Sequence, residues 1–287
     1  MKTLYVSDLD GTLLNSEAEI LSETREILNR LTADGMYFTF ATARSIYSAL
    51  PITDGLDINV PCILMNGVSI YDKKQQCYVR NVTIPCSASE RIIRTFQDMG
   101  EHCFMYKFID GRLTCCYTEI TDRVMKSFAE VRKKRYNKPF LQCRTLLDEA
   151  DDNVAYFTVT GGYDRLKAIA DRLSDVEGVS HAFYEDSYSQ NWYLEFFSAE
   201  ASKDNAVRYL KEHYGFDRVV AFGDNYNDIS MLKFADTAVA VGNAADAVKE
   251  IADFVADTND RNGVAEYLLN LNENNCITVF RNMKGNE

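Results

Sequence analysis

Two rhythms of apolar and polar positions run along the chain. Leu4 and Val6 sit in a short apolar stretch that predicts a strand over 2–7, and Ile27, Leu28 and Leu31 recur at helical spacing. That stripe predicts a helix over 22–33 with Ser22 as its N-cap. "YFTFA" at 37–41 and "CILM" at 62–65 read as two more strands. Strands alternating with amphipathic helices predict a parallel sheet.

After Thr83 the rhythm changes. "SASERIIRTFQDMG" reads as a helix with Ile92, Ile93, Phe96 and Met99 on one face, and "CFMYKF" and "RLTCCYTE" are separated only by Ile109 to Gly111, a hairpin. A helix near 121–134, a strand "VAYFTVTG", a helix "YDRLKAIADRLSD" and strands "SHAFYED" and "NWYLEFF" follow. Hairpins of this kind belong to an α+β module, so 84–192 is expected to be an inserted domain. Alternation then resumes with "KDNAVRYLKEHYG", "RVVAFGD", "DISMLKFA", "TAVAVG", "ADAVKEIA" and "DFVA". The expected fold class is therefore α/β: a doubly wound parallel core of 1–83 and 193–287, interrupted by the insert. The polar "NLNENNC" and the last residues read as surface or frayed tail.

Composition narrows the function classes. A hydrophobic content of 46% excludes disorder, and 31 Lys and Arg against 43 Asp and Glu give −12, which opposes nucleic acid and anionic membranes as partners. A small phosphorylated ligand remains compatible if a metal ion offsets local charge. The N-terminus has no basic and apolar leader pattern, and no apolar run approaches the ~18 residues of a membrane span, so a cytoplasmic protein is expected. No obligatory protein partner is evident. The cysteines Cys62, Cys77, Cys86, Cys103, Cys115, Cys116, Cys143 and Cys276 show no CxxC spacing and are expected as reduced thiols in or near a core. His102, His181 and His213 are isolated and read as structural.

In a doubly wound sheet, ligands sit beyond the carboxyl ends of the strands. The first strand delivers Asp8 and Asp10 in "DLDGT"; an Asp-x-Asp-Gly turn is also an ordinary strand exit. "FTFATAR" delivers Thr42 and Arg44, "ILMNG" delivers Asn66 and Gly67, and "VVAFGDNYND" delivers Asp224, Asn227 and Asp228. Lys203 opens the helix at "SKDNA", where the macrodipole disfavours a positive charge. Four acids converging on one lysine cannot all ionise uncompensated. A hard divalent cation supplies compensation, and Mg²⁺ suits oxygen ligands.

"DLDGT", "FATAR", "MNG", "SKDNA", "GDNYND", "AVAVGNA" and "NGVAEYL", in this order, resemble the haloacid dehalogenase-like hydrolase superfamily, specifically its Cof-type phosphatases with a type IIB cap. The resemblance implies that Asp8 is the nucleophile forming an aspartyl-phosphate and that Asp10 protonates the leaving alcohol and then activates water. It implies that Thr42 and Lys203 hold phosphoryl oxygens. Mg²⁺ would be bound by Asp8, the Asp10 backbone carbonyl and Asp224, with Asp228 orienting the metal's water or Lys203. Gly11 would let the backbone approach the phosphoryl group and Asn227 would contact it. Arg44 and Asn66 fit substrate binding, or equally a salt bridge and a loop cap. Ala43 stands where the family often has glycine.

The expected activity is hydrolysis of small phosphorylated metabolites, sugar phosphates first. Two rivals are a phosphomutase of the phosphomannomutase type and a phosphoacceptor signalling module. The second carboxylate and the large insert argue against the latter. The aromatic run "FYEDSYSQNWY" reads as packing of the insert or as pocket lining.

Overall fold

The computed structural model describes residues 1–121, 123–185 and 191–272. In chain order the first elements are β1 Thr3–Ser7, α1 Ser22–Ala33, β2 Tyr37–Phe40, α2 Ile46–Ile52, β3 Cys62–Leu64, β4 Ser69–Asp72 and β5 Cys77–Asn81. Next come α3 Cys86–Asp98, β6 Phe104–Ile109, β7 Arg112–Tyr117, α4 Arg123–Tyr136, β8 Phe140–Gln142, β9 Val154–Gly161, α5 Tyr163–Arg172, β10 Val179–Glu185 and β11 Trp192–Ser198. The chain continues through α6 Lys203–His213, β12 Arg218–Gly223, α7 Ile229–Phe234, β13 Thr237–Ala240, α8 Asp246–Lys249 and β14 Phe254–Val255. A helix over 263–272 follows.

The chain forms two compact units, Met1–Val79 with Ser202–Glu287, and Arg80–Ala201. The sequence placed the insert at 84–192. The unit begins earlier, at Arg80, and ends later, because β11 runs to Ser198 and pairs with both β9 and β10, which ties residues 193–201 to it.

The first unit is built on a parallel sheet in the order β14-β13-β12-β1-β2. Strand order reverses beside β1, which opens a crevice at its carboxyl end. β12 and β13 are buried along nearly their whole length, as strands covered on both faces must be. α1 buries Thr24, Ile27, Leu28 and Leu31, and α6 buries Ala206, Val207 and Leu210 in the same core as the strands.

Two expectations differ from the structure. Ser22 is the first helical residue rather than the cap; Leu21 holds the cap position without a side-chain hydrogen bond. "CILM" joins the parallel sheet only through a single Ala41–Ile63 bridge. It belongs instead to a three-stranded sheet, β3-β4-β5, because Met65, Asn66 and Gly67 all take positive φ and turn the chain back on itself. The short α2, β4, β5 and β8 went unread, α2 because Pro51 lies inside it.

The second unit carries one six-stranded sheet, β10-β11-β9-β6-β7-β8. β6 and β7 form the expected hairpin through Asp110 and Gly111, whose φ values of 48° and 73° match a tight primed turn. α3 and α5 cover one face with Ile92, Ile93, Phe96, Leu166 and Ile169. α4 covers part of the other, with Phe128 stacked on Phe104 at 5.1 Å between centroids. The helix expected near 121–134 runs over Arg123–Tyr136. Tyr163, Phe183 and Trp192 pack together, while residues 186–190 of the aromatic run lie outside the described residues. Cys276 and the tail from 273 also lie outside them. Cys62, Cys103, Cys115 and Cys116 are buried free thiols. Among the described residues no helix is long and apolar enough to cross a membrane.

Candidate active site

All the sequence-predicted site residues belong to the first unit; Lys203 opens α6, and the others follow the carboxyl ends of β1, β2, β3 and β12. The Asp8 N–H donates to the Phe222 carbonyl at 3.0 Å, which carries the β1–β12 ladder one residue beyond β1. The next turn is tight: the N–H groups of Leu13 and Leu14 both donate to the Leu9 carbonyl, at 3.0 and 2.8 Å. Gly11 sits in that turn at φ +80°, and a Cβ there would stand 2.5 Å from Asp224 Oδ2. Backbone conformation and crowding both require glycine.

Lys203 organises the buried side of the site. Its Nζ donates to Asp8 Oδ1 at 2.5 Å and to Asp228 Oδ1 at 2.6 Å, and all three side chains are buried. The awkward first-turn cation is thereby explained: two carboxylates outweigh the helix dipole. Asp228 Oδ2 in turn accepts the N–H groups of Asp224 and Asn225, each at 3.1 Å. Asp8 Oδ2 has no hydrogen-bond partner among the described residues.

Asp8, Asp224 and Asp228 each present an oxygen within 4.8 Å of the others. Burial raises the Asp8 carboxyl well above its usual range, against the pull of Lys203 and with repulsion from Asp228 and Asp224. Burial likewise lifts Asp224 to about 6, although the Thr12 hydroxyl, 2.7 Å from Oδ1, opposes the shift. Lys203 is raised: burial works against its charge, but Asp8 and Asp228 overcome it. Three acids sharing one ammonium form a hard oxygen donor set with unmet negative charge, which fits a divalent cation such as Mg²⁺.

Asp10 behaves differently. It is exposed and held by both arms of Arg44, Nε to Oδ2 at 2.8 Å and Nη2 to Oδ1 at 2.5 Å. Thr42 is buried and its hydroxyl accepts the Arg44 N–H at 3.1 Å. The Asn66 N–H returns to the Thr42 carbonyl at 2.9 Å, and the Asn227 amide donates to Asn66 Oδ1 at 3.4 Å. The structure thus joins Asp8, Lys203 and Asp228 directly, Asp10 to Arg44, and Asn66 to Asn227. Sequence reasoning assigned nothing to Thr12 or to Asn243, whose amide donates to the Gly11 carbonyl at 2.7 Å. Both lie inside quoted motifs, "DLDGT" and "AVAVGNA", which were the available signal. His102, His181 and His213 contact Thr118, Phe196 and Tyr209 instead.

A family model described as haloacid dehalogenase-like hydrolase matches residues 5–268. The chain belongs to that family. The 5-amino-6-(5-phospho-D-ribitylamino)uracil phosphatase YitU of Bacillus subtilis is 26% identical over 271 residues, covering 92% of this chain and 96% of its own. The pyridoxal phosphate phosphatase YbhA of Escherichia coli is 28% identical, covering 91% and 95%. Among solved structures, a haloacid dehalogenase-like hydrolase from Bacteroides thetaiotaomicron superposes with a TM-score of 0.77 at 26% identity, covering 94% of this chain and all of that one. The protein is a phosphatase of this family, and the family read from its motifs stands, as does the α/β core with its inserted unit.

Proposed function

We propose that the protein is a Mg²⁺-dependent phosphatase that hydrolyses small phosphorylated metabolites, sugar phosphates first among them, through an aspartyl-phosphate on Asp8. One observation carries the reading: Lys203 clamps Asp8 Oδ1 and leaves Oδ2 unengaged. A carboxylate held by one oxygen is oriented as a nucleophile by the other.

In the first half-reaction Asp8 Oδ2 attacks phosphorus and the bond to the leaving alkoxide breaks, with Asp10 giving that oxygen a proton. In the second, Asp10 takes a proton from water as the water oxygen attacks phosphorus, which releases phosphate and restores Asp8. Thr42 and Lys203 hold phosphoryl oxygens, Gly11 keeps the backbone close, and Arg44, Asn66 and Asn227 line the approach. Asp8, the Asp10 carbonyl and Asp224 would hold Mg²⁺, backed by Asp228, and the ion would neutralise charge on the phosphoryl oxygens. The substrates named for these relatives, a phosphoribitylaminouracil and pyridoxal phosphate, are both phosphate monoesters, which supports recognition centred on the phosphate.

The test is phosphate release across a panel of phosphorylated metabolites, after chelation and after Mg²⁺ is restored. Activity should vanish and return. Undiminished turnover in metal-free enzyme, or no release from any metabolite with Mg²⁺ present, overturns the reading.

A further inference from the structure

The turn that carries Asp10 is tied together through a single carbonyl. The N–H groups of Thr12, Leu13 and Leu14 all donate to the Leu9 carbonyl, at 3.3, 3.0 and 2.8 Å. The carbonyls of Gly11 and Leu14 are met instead by asparagines from two distant loops. Asn243, after β13, donates its Nδ2 to the Gly11 carbonyl at 2.7 Å, and Asn259, after β14, donates its Nδ2 to the Leu14 carbonyl at 2.9 Å.

The two asparagines are also joined to each other. The Asn259 N–H donates to Asn243 Oδ1 at 3.0 Å. A backbone N–H can only donate, so Oδ1 of Asn243 must face Asn259 and its Nδ2 must face Gly11: the orientation of this amide follows from its partners. Asn259 is buried, whereas Asn243 is exposed. The same loop grips the chain beyond the turn. Asp260 accepts the Ser16 N–H and hydroxyl, at 2.8 and 2.5 Å, and Asn262 Oδ1 accepts the Thr24 hydroxyl at 2.7 Å.

Asp10 needs such a bracket. Its side chain is exposed, so packing does not fix it, and its place depends on Arg44 and on the backbone of the turn. Gly11, at φ +80°, is the most permissive backbone position there, and holding its carbonyl fixes the plane of the peptide that follows. A reacting group displaced by ~1 Å can lose on the order of 10²-fold in rate. We propose that Asn243 is a positioning residue for Asp10: it locks the Gly11–Thr12 peptide, and Asn259 holds the Asn243 amide in the orientation that donates. The inference rests on the proton-transfer role given to Asp10 and adds the residues that aim it.

The test separates aiming from stability. Single-turnover formation of the phosphoenzyme is followed from an alkyl phosphate, whose alkoxide must be protonated, and from nitrophenyl phosphate, whose leaving group needs little help. Asn243→Ala and Asn243→Asp should each slow the alkyl phosphate by about 10- to 100-fold and nitrophenyl phosphate by less than about threefold, with substrate affinity unchanged. Asn243→Asp keeps the acceptor for Asn259 and removes the donor to Gly11, so native rates in that variant would overturn the proposal. Asp260→Ala, which releases Ser16 beyond the turn, should change neither rate by more than about twofold; an equal leaving-group effect there would mean that general loosening, not Asn243, sets the aim. Hydrogen exchange reads the turn without turnover: the Leu13 and Leu14 amides should exchange about tenfold faster in Asn243→Ala, while those of β12 keep native rates. Thermal melts establish that the variants are folded, and Asn243→Asp carries both measurements if Asn243→Ala does not fold. Asp10→Asn distinguishes the failures. If it slows both substrates equally, the proton-transfer reading falls and the role of Asn243 with it. If it is selective while the Asn243 variants are not, or if exchange at Leu13 and Leu14 is unchanged, this inference alone is overturned.

Discussion

Asp8 and Asp10 are two residues apart, yet they occupy opposite environments: one is buried against Lys203, the other exposed against Arg44. The proposed mechanism predicts different phenotypes. Asp8→Asn should abolish turnover and covalent phosphate together. Asp10→Asn loses a proton-transfer contribution of roughly 10²- to 10⁴-fold, but nitrophenolate leaves with little help. With nitrophenyl phosphate it should therefore release a burst of about one equivalent per site before stalling, with phosphate mapped to Asp8. Neither burst nor label in a folded protein would contradict the division of labour. Lys138 supports a second prediction at this scale. Its folded pKa is depressed to about 7 from an unfolded 10.5, so between these values the unfolded chain binds more protons and stability rises with pH. Lys138→Met should thus stabilise by roughly 2–4 kcal/mol near pH 7 and by far less near pH 10, as denaturant titrations at the two pH values would show. An equal gain at both would refute an ammonium whose charge is disfavoured by burial.

At the scale of elements, the site depends on how the start of α6 is set. Ser202 caps the helix, its hydroxyl accepting the Asn205 N–H at 3.3 Å, and Lys203 follows immediately. Gly67, at φ +100°, lies so close that a Cβ would stand 2.1 Å from the Ser202 carbonyl oxygen. Ser202→Ala should cost about 1 kcal/mol of stability. Gly67→Ala should cost about 3 kcal/mol through strain and collision, and should lower activity more, because it displaces the segment that aims Lys203. Equal effects in melts and rate assays would show that Gly67 does not set this position. The sequence disclosed the long elements, whose apolar stripes are periodic, and the motif residues, which stand at strand ends. It hid β4, β5 and β8, which are too short to show a period; at Met65–Gly67 the Asn66-Gly67 pair was the available turn signal, and only the left-handed backbone of Met65 had none. The Arg44–Asp10 pair and the reach of Asn243 to Gly11 were equally hidden, since both depend on where separate loops come to lie.

For the whole molecule, the acidic balance of −12 and the three clustered carboxylates pull against folding unless a cation is present. A ligand that binds only the folded state stabilises it by mass action, about 2.7 kcal/mol at a hundredfold excess over its dissociation constant. Mg²⁺ should therefore raise the melting temperature of the native protein, and Ca²⁺ or Na⁺ at matched ionic strength gives the screening control. Asp224→Asn makes the argument sharper, because it removes both a proposed ligand and a source of repulsion that lifts Asp8. Without metal the variant should melt above the native protein. With Mg²⁺ the order should invert, since the variant loses most of the metal-dependent gain. The two curves must cross as Mg²⁺ is added. Parallel curves would mean that Asp224 contributes charge but no ligand, and a variant less stable in both conditions would mean that its hydrogen bond to Thr12 outweighs the repulsion it causes.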